Sequence, residues 1–241
     1  MATLKQAFEE YAHISQGVVT WPFSQDLVHS RGVCVSLCAH WIRYHSMDKH
    51  LREELHDESA RCKFNKYAIR RVQSLQEVEP FWLPRSAQYP STDSELIISW
   101  LRAFGLCLQT NITNGDWTRS FYRENYNPNR PPHHAYPKHA TRLMLGAIMK
   151  YISCYLLITV DNLDHSDAYS NGSGHAFCAW FGQLSGGDVC FYDPNVGEVW
   201  FEQRKHFDLF ASKYLNYFMT MYDYTHWDLL PVARPAFPLG M

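Results

Sequence analysis

Three short segments carry side chains able to do chemistry together. In Gly32-Val33-Cys34-Val35-Ser36-Leu37-Cys38-Ala39-His40-Trp41, a glycine delivers Cys34 to the opening turn of a helix whose Leu37, Cys38 and Trp41 share one face. Free backbone amides and the positive end of the helix dipole stabilise a thiolate at that turn, and thiolate is the nucleophilic form. Gly174-His175-Ala176-Phe177 opens a strand 141 residues after Cys34, with the imidazole at the mouth of the sheet. Phe191-Tyr192-Asp193-Pro194-Asn195-Val196-Gly197-Glu198 puts a carboxylate at a strand end, immediately before a tight turn. Adjacent strands can bring Asp193 beside His175, where a carboxylate fixes the tautomer of the ring and stabilises its protonated form.

Each residue alone has a plainer reading. Free cysteine is among the most buried residue types, His175 could be a hydrogen-bonded core histidine, and Asp193 could be a turn former. Their order and spacing favour the joint reading. Cys38, one turn beyond Cys34, is a rival nucleophile that mid-helix burial argues against. A metal site from Cys34, Cys38 and a histidine lacks a second ligand pair, so no metal is expected. His133, His134, His40, His45, His206 and His226 have no ligand spacing and are expected at the surface or at edges. Trp41, Phe177, Trp180, Trp200 and Phe201 read as core packing.

The positioning elements follow from periodicity. Helices are expected over 2–15, 34–46, 58–77 and 94–104, the last started by a capping box from Thr92 to Glu95. Three prolines in 127–134 deny helix and sheet and make a loop. A helix at 139–149 precedes strands over 151–160, 175–184, 188–193 and 198–202, punctuated by Gly186-Gly187 and Pro194-Asn195-Val196-Gly197 at hairpin spacing. A helix at 205–221 and a strand near 229–232 complete an α+β layout, a helical first half packed on an antiparallel sheet.

Composition bounds the rest. The 241 residues, 46% hydrophobic and 19% charged, suffice for one sizeable core, and a net charge of -2 offers nucleic acid no electrostatic footing. Seven scattered cysteines without a CxxC pair read as reduced thiols. The first eleven residues lack an apolar stretch of the kind a cleavable signal peptide needs, so cytosolic synthesis is expected. The run from Leu143 to Val160 is interrupted by Lys150 and changes from helical to strand character, which excludes a transmembrane span. A monomer is expected, as no heptad seam is exposed.

The chain resembles the YopT/AvrPphB-type papain-like cysteine proteases, which are bacterial virulence effectors and toxin domains. Three islands carry the resemblance: Gly32-x-Cys34-x-x-Leu37-x-x-x-Trp41, His175-Ala176 and Asp193-Pro194-Asn195-x-Gly197-Glu198. The interval from Cys34 to His175 also suits papain-type enzymes, whose histidine follows their cysteine by about 130–150 residues. The resemblance implies a papain-like fold over a single catalytic domain, 1–241. Cys34 would be the nucleophile, His175 the general base and acid, and Asp193 the orienting residue. One oxyanion donor is then the Cys34 amide; Gln25, nine residues earlier, is the candidate for the second, with His29 competing. No cofactor is implied. The substrate would be a protein inside a target cell, such as a small GTPase or a kinase, reached by secretion or translocation without a cleavable signal peptide. The same three residues also serve lysine fatty-acyltransferases and glutamine deamidases, which stand as the alternative.

Overall fold

The computed structural model describes residues 3–22, 34–55, 101–108, 136–161, 174–182, 187–224 and 226–234. Thr3 starts the first helix with a capping box: its hydroxyl accepts from the Gln6 amide at 3.2 Å, and the Gln6 side chain accepts from the Thr3 amide at 2.8 Å. Helix α1 (Leu4–Ile14) buries Ala7, Phe8 and Ala12. Gly17 then lets the chain close onto the sheet, since a Cβ there would lie 2.4 Å from the Phe201 ring. Strand β1 (Val18–Pro22), helix α2 (Cys34–His45), helix α3 (Leu51–Leu55) and strand β2 (Cys107–Leu108) follow. The later part of the chain holds α4 (Tyr136–Ile148), β3 (Cys154–Asp161), β4 (His175–Phe181), β5 (Val189–Asp193), β6 (Gly197–Phe201), α5 (Arg204–Met221) and β7 (His226–Ala233).

The strands form one antiparallel sheet in the order β1-β6-β5-β4-β3-β7-β2. Successive side chains point to opposite faces. Phe177, Ala179 and Phe181 of β4, with Val189 and Phe191 of β5, pack with α1, α4 and α5 in one core. Ala176 and Cys178, with Cys190 and Tyr192, pack with α2 in a second core. Burial on both faces explains why β4 and β5 are apolar almost without interruption. At the start of α5 the Arg204 guanidinium lies 4.2 Å from the centre of the Phe181 ring and donates to the Tyr151 and Ile148 carbonyls at 2.8 and 2.9 Å. Those bonds tie the end of α4 and the turn after it to α5.

The α+β class stands as read from the sequence, with one correction: the first half is not purely helical, because β1 and β2 form the two edges of the sheet. Strand β1 hid because it is a short edge run closed by Pro22 and irregular in register between Val19 and Trp21, so it shows no clean alternation. Strand β2 is too short to show a period. Strand β7 exceeds its expected four residues because it pairs with β3 from Tyr155 to Asp161. The expected helix at 58–77, the capping box at 92–95, the loop at 127–134 and Gly186 lie outside the described residues. No helix among the described residues is long and apolar enough to cross a membrane.

Candidate active site

The hairpin from β5 to β6 builds the first part of the site. Asp193 pairs with Gly197 across a three-residue loop, and Gly197 has φ 128°, a conformation that favours glycine. The Asn195 amide donates to Asp193 Oδ1 at 2.8 Å, an Asx turn that fixes the carboxylate through the same chemistry that closes the hairpin. His175, the first residue of the neighbouring strand β4, donates from Nε2 to the same oxygen at 2.8 Å. The other oxygen, Oδ2, accepts from the Tyr214 hydroxyl of α5. Asp193 is 0% exposed, so all three donors act on a carboxylate removed from water.

The His175 ring is buried against Phe177 and Phe218, with centroids 4.8 and 5.0 Å away. Helix α2 approaches from the other face of the sheet and opens at Cys34, whose buried thiol lies near enough to the same imidazole to raise its proton affinity. Because Nε2 is engaged by Asp193, Nδ1 is the nitrogen that the carboxylate leaves unbound. Burial alone would lower the proton affinity of the ring; the Asp193 carboxylate, by charge and hydrogen bond, and then Cys34 reverse that and push it up to about 9. An imidazole of this kind can take a proton from sulfur and hold it near neutral pH.

Several contacts seat α2 and hence Cys34. Cys38 Sγ donates to the Ala176 carbonyl at 3.4 Å, and Cys178 Sγ donates to the Cys38 carbonyl at 3.8 Å, joining α2 to β4. Trp41 Nε1 donates to Glu198 Oε2 at 2.7 Å, and Thr20 Oγ1 donates to Glu198 Oε1 at 2.5 Å, so one buried carboxylate holds α2, β1 and β6. The Tyr192 ring lies between Trp21 and Trp41, parallel to both at centroid distances of 5.7 and 5.8 Å. Trp41 and Glu198, which end two of the sequence islands, therefore meet each other.

Cys34, His175 and Asp193 are thus brought together from three elements far apart in sequence. Gln25 and His29 lie outside the described residues. Cys38 is fully buried, and burial pushes its thiol well above the ordinary range. Among the described residues, no group of three or more histidines, cysteines or acids could hold a metal ion. The expectation for His40 and His45 needs correcting, because α2 packs on the sheet along its whole length. His40 is buried. His45 is half-buried beside the Trp41 and Trp180 rings at 4.7 and 5.7 Å, with Nδ1 2.9 Å from the Tyr155 hydroxyl. The sequence reading missed Tyr214, which shares the buried face of α5 with Phe207, Phe210 and Phe218. Its hydroxyl was the available signal, since a buried phenol needs an acceptor.

Fold and geometry together set a cysteine at the start of a helix beside a histidine and an aspartate at the ends of neighbouring strands of one antiparallel sheet. The chain belongs to the family Peptidase_C58, described as Yersinia/Haemophilus virulence surface antigen, whose model matches residues 6–232. A protein of Yersinia enterocolitica named "Cysteine protease yopT1" is 25% identical over 180 residues, covering 74% of this chain and 48% of the relative. Its counterpart from Yersinia enterocolitica serotype O:8 / biotype 1B is 25% identical over 181 residues, with the same two coverages, 74% and 48%. The chain therefore spans about half the length of the curated relatives it matches. Among solved structures, that of the Pseudomonas avirulence protein AvrPphB aligns with 86% of this chain and 94% of its own at 16% identity, with a TM-score of 0.46.

Proposed function

We propose that the chain is a cysteine protease-type effector that cuts a protein of a target cell through a thioester acyl-enzyme. Cys34 is the nucleophile, His175 the proton carrier and Asp193 the orienting group. The observation that carries this reading is the His175 imidazole bound to Asp193, with Cys34 near enough at the start of α2 to act on its charge. His175 Nδ1 takes the thiol proton, and the thiolate attacks the scissile carbonyl. Amides of the first turn of α2, which have no intrahelical acceptor, face the developing oxyanion, with Gln25 proposed as a further donor. Collapse of the tetrahedral intermediate breaks the C–N bond, and the imidazolium protonates the leaving amine. Water then gives a proton to the neutral ring, attacks the thioester and returns the sulfur.

The catalytic unit is proposed to be a single domain, 1–241, a reading supported by a sheet that draws its edge strands from the first half and its centre from the second. A small GTPase or a kinase remains the proposed substrate type, and secretion or translocation into a target cell the proposed route. The test is mass spectrometry of target-cell lysate treated with the wild-type chain beside Cys34→Ala. New fragments of defined mass, made only by the wild type, are expected. Mass added to intact lysine-bearing proteins would replace hydrolysis by acyl transfer, and a glutamine-to-glutamate mass change would replace it by deamidation. Identical lysates would overturn the reading.

A further inference from the structure

Tyr214 lies outside the reacting pair, yet its hydroxyl ends on the carboxylate that holds it. Asp193 receives two donors on Oδ1, His175 Nε2 and the Asn195 amide, each at 2.8 Å. Tyr214 donates to Oδ2. The terminal torsion of an aspartate is soft, so a carboxylate held through one oxygen can still swing about that contact. A donor on the second oxygen removes that freedom.

The phenol is itself well fixed. Its ring is fully buried, stacks on Phe210 at 5.2 Å and 13°, and meets Phe8 and Phe191 edge-on at 5.1 and 6.1 Å. Burial, then the neighbouring Asp193 charge, pushes its ionisation well above the ordinary phenol range, so it remains a donor while the site works. Resting on the acyl-transfer reading above, we propose that Tyr214 is a positioning residue that sets the direction and strength of the hydrogen bond between Asp193 and His175, and through it the aim of the imidazole at Cys34.

The sign of the effect follows from the dipole. The positive end of the Tyr214 O–H points at the carboxylate and lowers the electron density available to Oδ1. Deleting it makes Asp193 a stronger acceptor for Nε2–H and leaves the imidazolium harder to deprotonate. A better donor does the opposite. Other ionisable groups near Asp193 are Tyr222 just past the end of α5, Cys38 on α2, Cys178 on β4 and Tyr192 on β5, and burial pushes each of them up. His175 is therefore the facing group whose proton the change reports.

The experiment uses the full chain in three forms: wild type, Tyr214→Phe, and a form with 3-fluorotyrosine, a stronger donor of nearly the same shape, in place of Tyr214. Proton NMR reads the His175 Nε2–H resonance, and carbon-13 labelled histidine reads the pH at which the ring loses its proton. The His175 signals are assigned by their loss in His175→Gln. Tyr214→Phe should move the resonance downfield and the titration midpoint up by about half a unit or more; 3-fluorotyrosine should move both the opposite way. A tyrosine that merely fills the core would leave both where they are, and that result, or shifts of the same sign in the two forms, overturns the proposal. If Tyr214→Phe fails to fold, the fluorinated form decides by itself. Neither readout needs a substrate, so a chain that cuts nothing refutes the functional reading and leaves this one to be judged by its own shifts.

Discussion

Replacing Asp193 by asparagine removes the charge that keeps the His175 ring protonated while nearly preserving its shape. The ring titrates at about 9 against an ordinary 6.5, with burial acting downwards and Asp193 first among the causes acting upwards. That gap corresponds to on the order of 3 kcal/mol of preference for the imidazolium in the folded chain. A group whose affinity for protons rises on folding stabilises the fold fully below its unfolded value, so this contribution is whole below pH 6.5 and is lost as pH rises through about 9. In Asp193→Asn, burial and the Cys34 contact remain as opposing causes, and the midpoint should fall by more than about one unit. The amide also turns a donor toward Tyr214 or the Asn195 N–H, so the variant should be less stable at every pH. Carbon-13 NMR of labelled histidine gives the midpoint, and urea unfolding at pH 6 and pH 10 gives the stability difference. Wild type should lose stability across that interval by kilocalories, and the variant by much less. A midpoint within a few tenths of a unit of the wild-type value would refute the electrostatic reasoning.

Glu198→Ala strips the acceptor from Trp41 Nε1 and Thr20 Oγ1; two orphaned donors should cost about 2–5 kcal/mol in urea unfolding followed by tryptophan fluorescence. A loss below about 1 kcal/mol would mean that the anchor of α2 lies elsewhere. Cys38→Ala should leave alkylation of Cys34 within about twofold of wild type, since its own thiol is buried and held by the Ala176 carbonyl; loss of Cys34 reactivity in a folded variant would point to the wrong sulfur. Gly17→Ala places a methyl 2.4 Å from the Phe201 ring and 2.9 Å from Val199 Cγ2. The overpacking should cost about 1–3 kcal/mol and lower the thermal midpoint, and an unchanged midpoint would contradict the close approach.

What the sequence disclosed and what it withheld have physical causes. The positions of the proposed reacting residues were legible because each sits where local chemistry marks it: Cys34 at a helix start, His175 at a strand mouth, Asp193 just before a Pro-Asn-Val-Gly turn. Helix α5 was legible because burial of one face imposes a period on it, and strands β3 to β6 because burial makes them short apolar runs bounded by turn residues. Tyr214 was not, for a tyrosine on an apolar helix face resembles any other until the sheet supplies its acceptor. Glu198 read as the end of a motif, and its partnership with Trp41 appears only when α2 is laid across the sheet. Edge strand β1 escaped for lack of alternation, and His40 because one helix pattern cannot tell which of its faces tertiary packing will cover.

The central claim is that the sulfur of Cys34 is activated by the imidazole of His175. Its most direct test is the rate at which iodoacetamide alkylates each cysteine at pH 6.5, read by peptide mass spectrometry in wild type and in His175→Ala. Among the described cysteines Cys107 is the one partly exposed, while Cys34 is buried, so accessibility alone would favour Cys107. The account predicts that Cys34 reacts first, by about tenfold or more, and that His175→Ala abolishes the advantage in a folded chain. Cys107 reacting first, or a Cys34 rate indifferent to the loss of the imidazole, would contradict it.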